Sequence, residues 1–155
     1  MKNLKRQNPG QLFVAQELIN KVIKLNYSVA ELREKKLGCA IPEVYRNFLM
    51  NVSNGFDIMN CTLALHGCRT SYNRSDLDSW YPFSLEDIQK YERPKNATLE
   101  MFFFASYNYD CSKLYLNTSD NKIYYCDRYD ATPLKSWDSL SAMLTSEIGI
   151  FSKCP

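Results

Sequence analysis

The grouping with the most chemical potential in this 155-residue chain is Cys61, His66 and Cys68. Thiolate sulfur and imidazole nitrogen are favoured zinc ligands, and together they also make a cysteine nucleophile with its base. Two features argue against both chemistries. His66 is the only histidine, and none of the six cysteines forms the Cys-x-x-Cys pair typical of a closed zinc site. Paired acids occur at Asp76 and Asp78, Glu86 and Asp87, and Asp127 and Asp130. The first pair falls in a polar stretch, the second suits a helix N-terminus electrostatically, and the third follows a strand end, so each reads as solvated. The five glycines, at positions 10, 38, 55, 67 and 149, are too scattered to cradle a phosphate. The sequence therefore reads as non-enzymatic and without a cofactor or metal. A small enzyme using Cys61, His66 and Cys68, with or without zinc, is the remaining catalytic alternative.

Aromatic side chains are the stronger signal. Tyrosine occurs eleven times, and Tyr107, Tyr109, Tyr124 and Tyr129 crowd expected strand ends together with Asp110, Asp127 and Arg128. Tyr and Arg offer large contact area at modest entropic cost and dominate protein interfaces. A polar stretch from Arg69 to Trp80, with Tyr72, Arg74 and Trp80 as possible anchors, is a second interface candidate. The expected partner surface is thus Tyr72, Arg74, Trp80, Tyr107, Tyr109, Asp110, Tyr124, Asp127, Arg128 and Tyr129. The competing reading is that these tyrosines cover a small sheet with their hydroxyls in water.

Those residues must be carried by a fold of ordinary size. The length suits one domain, residues 1–155 with a core over about 11–149, large enough to bury that core without disulfides. Lys plus Arg exceed Asp plus Glu by only 19 to 17, and no basic block appears, so nucleic acid and membrane surfaces are not expected partners. No apolar run reaches the length of a signal peptide or a membrane span, and a cytoplasmic location with buried free thiols is expected. Sequons at Asn51, Asn60, Asn73, Asn96 and Asn117 would matter only in a secreted chain. A monomer or weak dimer is expected.

The segment Leu37 to Phe56 fixes the first half of the topology. Gly38 stops one helix, Pro42 opens another, and Asn54-Gly55 closes it, while Val44, Tyr45, Phe48, Leu49 and Val52 form an apolar stripe. Before it, periodicity predicts a helix from about Leu12 to Leu25, and the Ser28/Glu31 capping box starts a second that runs to about Lys36. A strand is expected within Met59 to Leu65, then a Ser84-capped helix ending before Arg93-Pro94. Leu99 to Ala105 reads as a buried central strand. Lys113 to Asn117 and Lys122 to Cys126 flank a polar turn and form a hairpin, with Leu114 and Leu116 on a buried face and Tyr115 pointing away. Ser136 is placed to cap a last helix with Trp137, Leu140, Met143 or Leu144, and Ile148 inward. The fold class is α+β: N-terminal helices packed on an antiparallel sheet, with a C-terminal helix.

With that order, the chain resembles the SUKH superfamily, which contains fungal cell-wall assembly regulators and bacterial toxin-immunity proteins. The resemblance rests on Ile41-Pro42-Glu43-Val44-Tyr45-Arg46-Asn47-Phe48-Leu49, matching a Leu-Pro-x-x-Tyr-x-x-Phe-Leu pattern, and on the Asn54-Gly55 turn. It implies an immunity-type protein that binds and neutralises a cognate protein toxin. The alternative is a non-catalytic regulatory scaffold of the cell-wall type. Two departures stand out. The family's Gly-Asp-rich turn after the central strand is replaced by Ala105-Ser106-Tyr107-Asn108-Tyr109-Asp110, with no glycine, and the net charge of +2 does not fit acidic mimicry of nucleic acid.

Overall fold

A computed structural model describes residues 33–58, 62–68 and 83–151. The expected helix over 12–25, the Ser28 cap, Cys61, Cys154 and the whole polar stretch from Arg69 to Trp80 lie outside the described residues.

A helical segment over 33–37 ends where Gly38 takes a φ of 73° and donates its N–H to Glu34 O at 3.0 Å. Glycine adopts this left-handed backbone without steric cost, which is why the chain turns here. Helix α1, Glu43–Asn51, begins after Pro42, whose carbonyl accepts from Arg46 N at 2.8 Å. Pro42 is thus the cap residue, one position before the helix. Gly55, at φ 78°, releases the chain into the sheet. The helix buries Tyr45, Phe48 and Leu49 and leaves Val44 and Val52 exposed. Five positions were expected inward. A helix this short presents a narrow stripe, and Val52 has already left it at the C-cap.

Six strands follow in a plain antiparallel meander: β1 Phe56–Ile58, β2 Leu63–Leu65, β3 Met101–Tyr107, β4 Lys113–Asn117, β5 Ile123–Cys126 and β6 Lys135–Trp137. Helix α2, Leu85–Lys90, lies between β2 and β3, and helix α3, Leu140–Phe151, closes the chain. The α+β class and the helices packed on an antiparallel sheet agree with the sequence reading. The boundaries shift: β1 and β2 replace one strand, β3 starts at Met101, and Leu99 is 96% exposed.

Both sides of the sheet are covered. On one side Tyr45 of α1 meets Phe104 at 4.8 Å and Phe102 at 6.1 Å between ring centroids, and Phe48 stacks on Tyr45. The register shifts between Phe103 and Ala105, so one extra residue bulges there; the ring contacts put Phe104 on the same side as Phe102. On the other side α2 and the chain after it close over Phe103. Gln89 donates to Phe103 O, the Arg93 guanidinium sits 5.2 Å from the Phe103 ring centre, and Phe103 packs on Tyr115. Leu114, Tyr115 and Leu116 are therefore all buried, which corrects the expectation of one buried face. The alternating pattern fails because each side has its own apolar cover.

Two further corrections concern the end of the chain. Lys135–Trp137 is an edge strand paired with β5, so Trp137 is not on the final helix. Ser139, not Ser136, caps α3, its hydroxyl accepting from Ala142 N at 3.1 Å. The thiol expectation holds only in part: Cys68 and Cys126 are buried, whereas Cys39 and Cys111 are exposed, and all four are free.

Candidate partner-binding surface

The hairpin that sets out the aromatic cluster is built as expected. Asn117 N donates to Lys122 O at 3.0 Å, Asn121 takes a left-handed φ of 59°, and Asp120 Oδ1 accepts from Lys122 N at 2.9 Å. Asn tolerates that backbone because its short polar side chain can bond locally. The turn after β3 is made without a glycine. Cys111 adopts φ 59°, and Asp110 Oδ1 fixes the return by accepting from Ser112 N at 2.9 Å and Ser112 Oγ at 2.6 Å.

Because side chains alternate across a strand, Tyr124 and Tyr125 emerge on opposite sides of the sheet. The expected cluster splits accordingly. On the α1 side, Tyr107 meets Tyr125 edge-on at 5.6 Å and Tyr109 at 5.6 Å. Tyr107 itself is buried, and its hydroxyl donates to Glu147 Oε2 of α3 at 2.6 Å. Burial and that carboxylate hold the hydroxyl far above the ordinary tyrosine range. Tyr109, by contrast, is 69% exposed. Tyr107 is therefore the support under this patch, and Tyr109 is its exposed ring.

On the opposite side, Tyr124 stacks on Tyr115 at 5.4 Å and donates its hydroxyl to Asp120 Oδ2 at 2.6 Å. That bond raises the tyrosine and lowers the carboxyl. Arg128 lies over the exposed Tyr129 ring at 4.3 Å, and Asp127 Oδ1 accepts from Tyr129 N at 2.7 Å. Lys95 N donates to Tyr129 O at 3.4 Å, and Asn96 bridges to Ala131 N at 2.7 Å and Asp130 at 2.7 Å, so the 127–132 loop is tied to the segment after α2. Among the described residues the expected cluster thus forms two exposed aromatic groups instead of one. Tyr72, Arg74 and Trp80 lie outside the described residues.

The sequence missed Glu147, Lys135 and Trp137. Glu147 shares a buried helical stripe with Leu140 and Met143, at i, i+3 and i+7, and a carboxylate on such a stripe is the signal that could have found it. Its second oxygen accepts from Lys135 Nζ at 3.1 Å, and that ammonium also lies 4.3 Å from the Trp137 ring centre.

The catalytic candidates resolve differently. Both ring nitrogens of buried His66 are engaged, Nε2 with Ser106 Oγ at 2.8 Å and Nδ1 with Ser84 O at 3.2 Å. Nδ1 then carries the proton and Ser106 donates to Nε2. Cys68 is backbone-clamped by Asn54, whose Oδ1 accepts from Cys68 N at 2.7 Å and whose Nδ2 donates to Cys68 O at 2.9 Å. Burial pushes the Cys68 thiol up to about 11, the opposite of an activated nucleophile. Asp127 and Asp130 each cap the turn two residues on, and Glu86 pairs with Lys90. Among the described residues, no group of three or more His, Cys, Asp or Glu side chains is arranged to hold a metal ion, and no helix is long and apolar enough to cross a membrane.

No curated protein matches the chain in a sequence search. A model of the SMI1 / KNR4 family (SUKH-1) matches residues 31–146, a span that runs from the segment before Gly38, through the Pro42 helix and the meander, into α3. The chain belongs to the SMI1 / KNR4 (SUKH-1) family.

Proposed function

We propose that this protein is an immunity-type inhibitor, acting in the cytoplasm as one module over residues 1–155, that binds a cognate protein toxin and blocks its active or substrate surface. The observation that carries the reading is the pair of exposed aromatic groups, Tyr109 beside Asp110 and Arg128 on Tyr129, each held by turn hydrogen bonds at an end of the sheet. Fixed tyrosine and arginine side chains lose little entropy on docking, which suits tight recognition. Family membership is compatible with this role, and the engaged His66 and high Cys68 thiol speak for binding over catalysis.

The test is co-expression with the toxin encoded by an adjacent gene, reading growth and copurification. Restored growth together with a copurifying complex is the expected result. Absence of both defeats the proposal. One second reading, implied by the resemblance to the SUKH superfamily, is a regulatory scaffold of the cell-wall type, under which the chain would bind a signalling or cell-wall protein and leave toxin-inhibited growth unchanged.

A further inference from the structure

The chain as a whole carries a formal +2, but the charged neighbour of the exposed Tyr109 ring is the carboxylate of Asp110. Burial, and after it the Asp110 carboxylate, raise the Tyr109 hydroxyl from the ordinary tyrosine value. Asp110 spends Oδ1 on both Ser112 bonds and leaves Oδ2 with no partner among the described residues. Lys135 is already committed to Glu147 and to the Trp137 face. What remains open to solvent is a tyrosine ring with a free carboxylate oxygen on the next residue.

Such a pair has a specific chemical preference. The face of an aromatic ring attracts a cation through its quadrupole, and a neighbouring carboxylate adds a charge-assisted hydrogen bond. The ring is also well held. Tyr109 packs on Tyr107, which is fixed from below by Glu147, and Asp110 is fixed by its turn, so the two groups would lose little freedom on binding. From this juxtaposition we infer that Tyr109 and Asp110 form the docking point for a single basic side chain, arginine or lysine, of the partner protein. The inference rests on the reading of the chain as a protein-binding inhibitor and specifies the chemistry of one contact.

The direct test uses the full chain with no partner. By NMR, the Tyr109 ring is followed during titration with N-acetyl-arginine methylamide, N-acetyl-lysine methylamide and the neutral isostere N-acetyl-citrulline methylamide. Saturable shifts of Tyr109 with either cationic compound, weakened by added salt and lost in Tyr109→Ala and Asp110→Asn, are expected. Equal shifts with citrulline, or none with either cation, overturn the inference. Both substitutions are at exposed positions, and Asn keeps an oxygen for the Ser112 turn. With a copurifying toxin, Tyr109→Ala should weaken the complex about tenfold or more. A wild-type complex that the two substitutions leave unchanged would remove this contact while leaving the inhibitor reading standing. Failure of the wild-type chain to bind any toxin alongside a positive titration would do the reverse.

Discussion

The Tyr107 hydroxyl donates to Glu147 Oε2 at 2.6 Å, joining the end of the central strand to the C-terminal helix across 40 residues of sequence. Both groups are buried. Tyr107→Phe leaves a buried carboxylate oxygen one donor short, and an unsatisfied charged group is costlier than a lost neutral bond. A loss of about 1–3 kcal/mol is expected, read as a lower urea midpoint. In a double-mutant cycle with Glu147→Ala, which removes the acceptor, the two changes should be non-additive by about 0.5 kcal/mol or more, and strict additivity would show that the bond contributes nothing.

Gly67 has no room for a side chain. A Cβ there would stand 2.3 Å from Asn54 O and 2.7 Å from Asn54 C, both backbone atoms that cannot swing aside. Gly67→Ala should cost about 2–4 kcal/mol. Gly149, inside α3, has nothing within 4 Å of its Cβ position. Gly149→Ala should instead raise stability by about 0.5 kcal/mol. Thermal melts of the two variants should move in opposite directions.

Tyr45 is fully buried, and its hydroxyl donates to His66 O at 2.6 Å, with Phe104 O at 3.3 Å. This single atom links α1 to β3 and to the segment leaving β2. Tyr45→Phe keeps the ring packing on Phe48 and Phe104 but removes the donor, and should cost about 1–2 kcal/mol by denaturant titration. An unchanged midpoint would mean that the ring contacts alone hold the helix.

The buried thiols make alkaline stability testable. Burial pushes Cys68 up to about 11 and Cys126 up to about 12, from an ordinary value of 9.0. Unfolding lets both ionise at lower pH, so above pH 9 the unfolded chain binds fewer protons than the folded one. Their contribution is therefore complete below pH 9 and is lost as pH rises toward 11 and 12. The urea midpoint should fall over that range, and less so in Cys126→Ala measured against its own neutral-pH value. Under native conditions, iodoacetamide should modify exposed Cys39 and Cys111 before Cys68 and Cys126, as read by peptide mass spectrometry.

Local chemistry made several elements legible from sequence. Gly38 and Gly55 take the left-handed backbone expected of helix stops, Ser84 Oγ accepts from Asp87 N at 3.2 Å, and the Asn117–Lys122 turn closes the predicted hairpin. Each of these signals acts within a few residues. What escaped depends on distant chain. Tyr115 reads as outward until Phe103, Tyr124 and the Ala131 carbonyl, which meet it from other parts of the chain, are known. Ser136 has the chemistry of a cap, but pairing of Tyr124 with Ser136 draws it into an edge strand, and Ser139 takes the role instead. The tyrosine cluster was visible as composition, yet its division between two sides follows from alternation along Tyr124 and Tyr125 combined with the position of Glu147, which the linear pattern does not reveal.

The strand order β1-β2-β3-β4-β5-β6 means that each strand pairs with its immediate predecessor and successor in the chain. Low contact order follows for most of the sheet, since hairpins can zip outward from the tight Asn117–Lys122 turn without threading or crossing. The late, entropically expensive step is then the docking of α1, whose Tyr45 must find Phe104 after a span of 59 residues has already been organised. During synthesis α1 would leave the ribosome well before β3, so the helix must wait for the strand it covers.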